Sequence, residues 1–261
     1  MKLGICEYAY LPLRASMSHR SEMVSQVLFG EIFEIVAHHS EWSKIRLLHD
    51  DYVGWIESVT ISPLDEETLD ASYINEKYIV CDSPTMMIKN GKCQIFIPQG
   101  SVLPKGAGES HNFNIGDNNY YILNDIAERN ETNIRKQIIA DAEKLIETPY
   151  LWGGRTQWGI DCSGFAQLIF RMSGIQLARD ASEQAKLGNT LNFIAEAQPG
   201  DLAFFDNDEG HIIHVGIIYS PTEIIHASKK VRIDKIDHHG IYNEELKKYT
   251  HKVRVMKNVI G

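Results

Sequence analysis

Residues Gly159-Ile160-Asp161-Cys162-Ser163-Gly164 decide how the rest of the chain is read. A loop enters a helix there. Phe165, Leu168, Ile169 and Met172 follow at the spacing of a buried helical stripe, and Gly174 is placed to end it. Cys162 therefore stands at or near the first turn of the helix. A helix N-terminus offers unpaired N–H groups and a positive partial charge. Both favour the thiolate, the reactive form of cysteine, and the same N–H groups can stabilise an oxyanion. A lone cysteine is ordinarily a small buried hydrophobe. The flanking Asp and Ser at a helix start point instead to a nucleophile.

Outward from this segment the chain changes character. Upstream, Asn133 is placed to cap a helix that has Ile134, Ile138, Ala142, Leu145 and Ile146 on one face and stops before Pro149. The turn Trp152-Gly153-Gly154 leads into the cysteine segment. Downstream of Pro199-Gly200, residues 201–205, 215–220, 223–227 and 231–236 read as strands. Helices followed by an antiparallel run predict an α+β domain from about residue 129 to 261. A thiolate enzyme needs a base. His214 and His226 flank a short turn at 220–222 on two neighbouring strands, so one can act as base and the other orient it.

Residues 1–128 read as β structure. Segments 31–37, 42–48 and 52–57 are short, β-branched and aromatic, which predicts a small barrel over residues 1–65 with Trp42 and Trp55 in its core. A second cluster at 78–80, 85–88, 93–97 and 120–123 marks a small β region and linker over 66–128. The tract 106–119, GAGESHNFNIGDNN, is loop-like by composition.

Composition limits the rest. The 261 residues are 43% hydrophobic and 23% charged, too apolar for a disordered chain. A net charge of −9 without a basic run disfavours nucleic acid and anionic membrane as partners. Lys229-Lys230 and Lys247-Lys248 read as solvated charge. The start MKLGICEYAYLPLRA lacks the pattern of a secretory signal, so a cytoplasmic location is expected. Cys6, Cys81, Cys93 and Cys162 form no CxxC, so neither a zinc ribbon nor a disulfide framework is expected. His211 and His214 form HxxH, but an odd step on a strand sends the two rings to opposite faces. No metal or other cofactor is expected.

A set of ordered motifs then carries a resemblance. TPYLWGG (Thr148–Gly154), GIDCSG (Gly159–Gly164), GIQLARDASEQ (Gly174–Gln184), QPGDLAFF (Gln198–Phe205), HVGI (His214–Ile217) and IIHAS (Ile224–Ser228) together resemble the NlpC/P60 cysteine peptidases over residues 133–261. LPLRA (Leu11–Ala15), SEMVSQVLFGE (Ser21–Glu31) and GWIES (Gly54–Ser58) are similar to bacterial SH3-like domains. The resemblance implies a papain-like catalytic domain preceded by one or two small SH3-like β-barrels. It implies Cys162 as nucleophile, His214 as base, His226 as third polar residue, and the Tyr150 hydroxyl beside the Cys162 N–H as oxyanion hole. The reaction implied is cleavage between γ-D-glutamate and meso-diaminopimelate or lysine, through a thioester and without a metal.

In the branch of the family that recycles cell-wall peptides, the SH3-like domain walls off one end of the cleft. The substrate is then a murein peptide with a free N-terminal L-Ala. Its ammonium group needs an acidic, hydrogen-bonding pocket. The candidates for that pocket are Asp161, Ser163, Asp180, Glu22 and Tyr52. Each has a plain structural alternative: Asp161 and Asp180 as helix caps, Glu22 as a solvated charge, Tyr52 as barrel core. Ala178 stands where the family often has Pro, a departure that touches turn stiffness. The other readings are an exported wall-remodelling endopeptidase or amidase, an inactive wall-binding module, and an acyl transferase using the same Cys–His pair.

Overall fold

The computed structural model describes residues 2–64, 78–104, 107–124 and 133–261. The chain divides into two compact units, Met1–Arg129 and Asn130–Gly261. The boundaries expected near residues 65 and 128 lie outside the described residues.

In the N-terminal unit, β1 (Leu3–Ile5), β2 (Tyr10–Arg14), β3 (Met23–Leu28), β4 (Ile32–His39), β5 (Trp42–Leu47), β6 (Val53–Glu57) and β7 (Ser62–Leu64) form one sheet in the order β3-β2-β6-β5-β4-β1-β7. Period-two alternation turns Ser43, Ile45 and Leu47 inward on β5, onto a core with Leu13, Val27, Phe33 and Ile56. Trp42 and Trp55 take the opposite phase and are only half-buried. They lie against His19 and His39, at 5.1 and 5.9 Å between ring centroids, so they are not core residues as the composition suggested. Strands β1, β2, β3 and β7 escape a sequence reading because they are short, or carry Pro12, Pro63 or the buried polar pair Ser25-Gln26.

The same unit continues with β8 (Tyr78–Val80), β9 (Thr85–Lys89), β10 (Cys93–Ile97), β11 (Val102–Pro104), β12 (Asn112–Ile115) and β13 (Asn118–Ile122). They form a four-stranded sheet, β10-β9-β13-β12, and a pair, β11-β8. The tract 106–119 is thus not a plain loop: a short helix (Ala107–Ser110) precedes the β12–β13 hairpin. Phe113 and Ile115 face inward while the asparagines that gave the tract its loop-like composition face out. Ile5 and Phe29 of the first sheet share a core with Met87, Ile97, Leu103 and Tyr120 of the second region. Gly30 makes the approach possible. At φ +77°, a Cβ there would fall 1.8 Å from the Val102 carbonyl oxygen.

In the C-terminal unit, Asn133 caps a helix (Ile134–Glu143) by accepting the Arg135 and Lys136 N–H groups. Ile138, Ala142 and Leu145 are buried; Ile146 lies beyond the helix end and is exposed. The pair β14 (Arg155–Thr156) and β15 (Gly159–Ile160) leads into the helix Cys162–Met172. Nearly every residue of this helix is buried, as expected for one apolar all round, and it packs on the main sheet. That sheet contains β16 (Asn189–Leu191), β17 (Leu202–Asp206), β18 (Ile212–Ser220), β19 (Glu223–Ser228), β20 (Lys230–Asp237), β21 (Gly240–Asn243) and β22 (Lys248–Asn258). Its order is β16-β22-β17-β18-β19-β20-β21, and β21 pairs with β22 as well, so six strands close on themselves. Strands β16, β21 and β22 were not anticipated. The lysines at 247–248, 252 and 257 disguise β22 as solvated chain.

Candidate active site

The site is built on the helix Cys162–Met172 and strands β18 to β20. Asp161 is the N-cap of that helix, in extended conformation, and its carboxylate accepts the Gly164 N–H at 2.7 Å. Gly164 is required there, because a Cβ would lie 2.3 Å from the Gly154 carbonyl oxygen. This packs the Trp152-Gly153-Gly154 turn against the first helical turn and puts Cys162 at its start. The Cys162 sulfur lies beside the backbone N–H groups of Ser163 and of Val215, the residue that follows the base candidate His214 on β18.

His214 and His226 meet across the β18–β19 hairpin. His214 Nε2 is 2.8 Å from His226 Nδ1, and His226 Nε2 is 3.1 Å from Asp234 Oδ2 on β20. Arg232 grips the same carboxylate, Nη2 to Oδ1 and Nε to Oδ2, both at 2.9 Å, and reaches Glu245 at 3.3 Å. Burial opposes the charged form of Asp234, yet the His226 and Arg232 contacts hold its carboxyl below the usual range. Burial lowers His226, against the pull of Asp234. It lowers His214 further, with help from His226 and His251.

These directions assign the protons. Asp234 is ionised and only accepts, so His226 Nε2 carries its hydrogen. A neutral His226 then presents an unprotonated Nδ1, which accepts from His214 Nε2–H. A neutral His214 is left with its lone pair on Nδ1, the free ring nitrogen. The arrangement therefore delivers a base whose active atom is fixed by two neighbours.

At the thiol, burial opposes the charge that a helix N-terminus favours. Burial, then Asp161, pushes Cys162 up to about 11, against the lowering by the Val215 N–H, Arg179 and the Ser163 N–H. Burial thus favours the neutral form of both the Cys162 thiol and the His214 imidazole. Tyr150 is half-buried; burial, Cys162 and Asp161 raise its hydroxyl, so it stays protonated and able to donate.

The structure brings Asp161 and Ser163 beside Cys162 but commits their polar atoms elsewhere. Arg179, 3% exposed, donates to Asp161 Oδ1 and Oδ2 at 3.1 and 2.6 Å and to Ser163 Oγ at 2.8 Å. Gly153 N–H, Gly164 N–H and the Ser163 hydroxyl also donate to Asp161. Five donors exhaust a carboxylate, so Asp161 has nothing left to offer a substrate ammonium. Gln184 secures the loop by donating to the Ser163 and Ala178 carbonyls. Asp180 occupies the N-cap position of the short helix Ala181–Gln184 without a capping side-chain bond, and it is exposed. Glu22 and Tyr52 belong to the N-terminal unit; Glu22 precedes β3, and Tyr52 packs against the barrel core. Of the HxxH pair, His211 is exposed beside Glu209 while His214 is buried. Among the described residues, no group of three or more His, Cys, Asp or Glu is arranged to hold a metal.

Comparison with known proteins bears on this geometry. The NlpC/P60 family model matches residues 147–255, and the bacterial dipeptidyl-peptidase SH3 domain matches residues 13–60. Residues 147–255 are an NlpC/P60 domain. The chain is similar to a γ-D-glutamyl-L-lysine dipeptidyl-peptidase of Bacillus subtilis, at 29% identity over 78% of this chain and 72% of that one. It is also similar to dipeptidyl-peptidase 6 of Lysinibacillus sphaericus, at 25% identity over 90% and 92%. A solved NlpC/P60 family protein from Bacillus cereus shares the fold, with a TM-score of 0.77 at 16% identity, covering 99% of this chain and all of that one. The match groups residues 147–255 with the cysteine-type peptidases of that family.

Within the NlpC/P60 domain, sequence reasoning missed Asp234, the bidentate role of Arg179, and His251. Asp234 carried a signal: it shares a strand face with Ile236, and a carboxylate on a buried face needs a partner. His251 carried none, because its strand was not recognised. Asp234→Asn tests the proton assignment. Arg232 offers only donors, so the Asn carbonyl turns to it and the amide NH2 turns toward His226. His226 then moves its hydrogen to Nδ1, and His214 loses its acceptor. The expected result in steady-state peptide hydrolysis is a fall in kcat of about 10²–10⁴-fold at little-changed KM.

Proposed function

We propose that this chain hydrolyses the bond between γ-D-glutamate and an L-diamino acid in peptidoglycan peptides that carry a free N-terminal L-Ala, and so serves cell-wall peptide recycling in the cytoplasm. The observation that carries the reading is the hydrogen-bonded series His214–His226–Asp234 beside a cysteine at a helix start. The two relatives named as dipeptidyl-peptidases support the choice of bond, since such an enzyme counts two residues from a free amine.

In this reading Cys162 Sγ attacks the γ-carbonyl while His214 Nδ1 takes the thiol proton. The Cys162 N–H, unpaired at the helix N-terminus, and the Tyr150 hydroxyl donate to the oxyanion. His214 returns the proton to the departing amine, leaving a thioester on Cys162. Water, activated by the same Nδ1, hydrolyses the thioester and restores the thiol. His226 orients His214, and Asp234 fixes the tautomer of both. The solvent-exposed Asp180 is our candidate in this segment for contact with the substrate ammonium.

Mass-spectrometric product analysis tests the reading. L-Ala-γ-D-Glu-L-Lys, its meso-diaminopimelate analogue, their N-acetylated forms and intact peptidoglycan serve as substrates. Release of L-Ala-D-Glu from the free tripeptides alone is the expected result. Equal cleavage of the acetylated peptides or the intact wall replaces it with a wall-remodelling activity.

A further inference from the structure

We propose that His251 is a positioning residue for His214, acting as a neutral aromatic backing for the base. The inference rests on His214 being the base of the peptidase reading above. Its substrate specificity plays no part.

His251 lies on β22 and covers one face of the His214 ring. The two rings stack at 4.2 Å between centroids with an interplanar angle of 24°. By contrast, His226 meets both rings edge-on, at 82° to His214 and 86° to His251. Phe205 on β17 packs against both, at 5.7 and 5.8 Å. His214 is thus held by a hydrogen bond at Nε2, an edge contact at that same end, and a parallel ring across one face. The hydrogen bond alone leaves the imidazole free to swing about Nε2; the stacked face removes that freedom. Positioning of this kind governs whether Nδ1 lines up with the thiol.

The backing is itself fixed. His251 Nδ1 lies 2.9 Å from the Thr250 hydroxyl. Its carbonyl oxygen is approached so closely by β21 that a Cβ at Gly240, φ +140°, would sit 1.8 Å away. Only glycine permits that approach, and the approach sets the height of His251 over His214.

The charge state matters because a cation on this face would oppose imidazolium formation on His214. Every element around His251 contributes. His226 on β19 disfavours a positive charge on His251 and Asp234 on β20 favours one, while His251 in turn lowers His214 on β18. Asp206 on β17, with Asp208, His239, Tyr249 and Lys252, lines a cavity that His251 also borders. Burial dominates, and it brings His251 down to about 4. The ring is uncharged throughout the neutral range.

Cysteine alkylation tests this without any peptide substrate. The background is Cys93→Ser, because Cys93 is exposed while Cys6 and Cys81 are buried. The rate at which iodoacetamide labels Cys162 is followed against pH by intact-protein mass, with thermal melting alongside. His251→Ala is expected to label about 10²-fold more slowly at neutral pH. Its acid limb moves to higher pH by about one unit, because water reaching His214 relieves the burial that depresses it. His251→Phe keeps the stacked face and keeps the wild-type limb and most of the rate. If His251→Ala does not fold, His251→Gln takes its place: it retains a polar group near Thr250 but no ring, and it must label slowly. A wild-type rate and limb in the Ala or Gln variant overturns the proposal. So does a Phe variant as slow as the Ala variant with unchanged melting. If the labelling follows the expectation while no murein peptide is cleaved, the substrate reading fails and the role of His251 stands.

Discussion

Cys162→Ala is expected to abolish hydrolysis of L-Ala-γ-D-Glu-L-Lys, with a fall in kcat of about 10⁶-fold, the scale seen when a covalent nucleophile is removed. The loss is chemical, not structural. The sulfur sits at the helix start beside two backbone N–H groups, and the helix gains propensity from alanine. Thermal melting should therefore be unchanged within a degree or two. Cys162→Ser should be nearly as inactive. Burial already holds the thiol at about 11, and a hydroxyl in the same place is a far weaker acid. Product release is followed by mass spectrometry on the same samples as the melts. Hydrolysis that survives in Cys162→Ala would assign the nucleophile elsewhere.

Arg179→Ala is expected to cause the largest loss of stability in the C-terminal unit, about 3–5 kcal/mol by urea denaturation. The Arg179 and Asp161 side chains are 2% and 8% exposed. Removing the guanidinium leaves a carboxylate buried with too few donors, which costs far more than the pair contributes when intact. The damage reaches the chemistry, because the same carboxylate caps the Cys162 helix and accepts the Gly153 N–H. The double variant Arg179→Met, Asp161→Asn should recover part of the loss. An amide still caps the helix, and no charge is stranded. A single variant that loses less than about 1 kcal/mol would show that water reaches Asp161, contrary to its burial.

The candidate nucleophile and the two histidines could be singled out in the sequence because each is marked by its neighbours. Cys162 follows an N-cap aspartate, and the histidines flank one turn between two apolar runs that read as neighbouring strands. Strands β4 to β6 and β17 to β20 were legible for the same reason. What escaped depends on pairing across distance. Asp161 is a cap by sequence and an ion-pair partner only by folding, since Arg179 reaches it from a separate loop. Trp42 was placed in the core by its size, but the phase of β5 had already given that side to Ser43, Ile45 and Leu47. His251 could not be joined to His214, because β22 looks like solvated chain until it is seen to cover β17. The balance at Cys162 could not be read from sequence either: the helix N-terminus favours charge there, and burial, which only folding reveals, opposes it.

The position of β22 has a consequence for how the enzyme comes into being. It is the last strand in chain order, yet it lies between β16 and β17 and also pairs with β21. A ribosome delivers Cys162, His214, His226 and Asp234 before it delivers the strand that backs them. During that interval β17 and β21 have open edges, and the base lacks the ring that holds it upright. Until β22 docks, His214 has no ring stacked on it and the sheet lacks the strand that joins β17 to β21. A product cut short before β22 would behave as an unpaired sheet edge seeking a partner, not as a weakened peptidase.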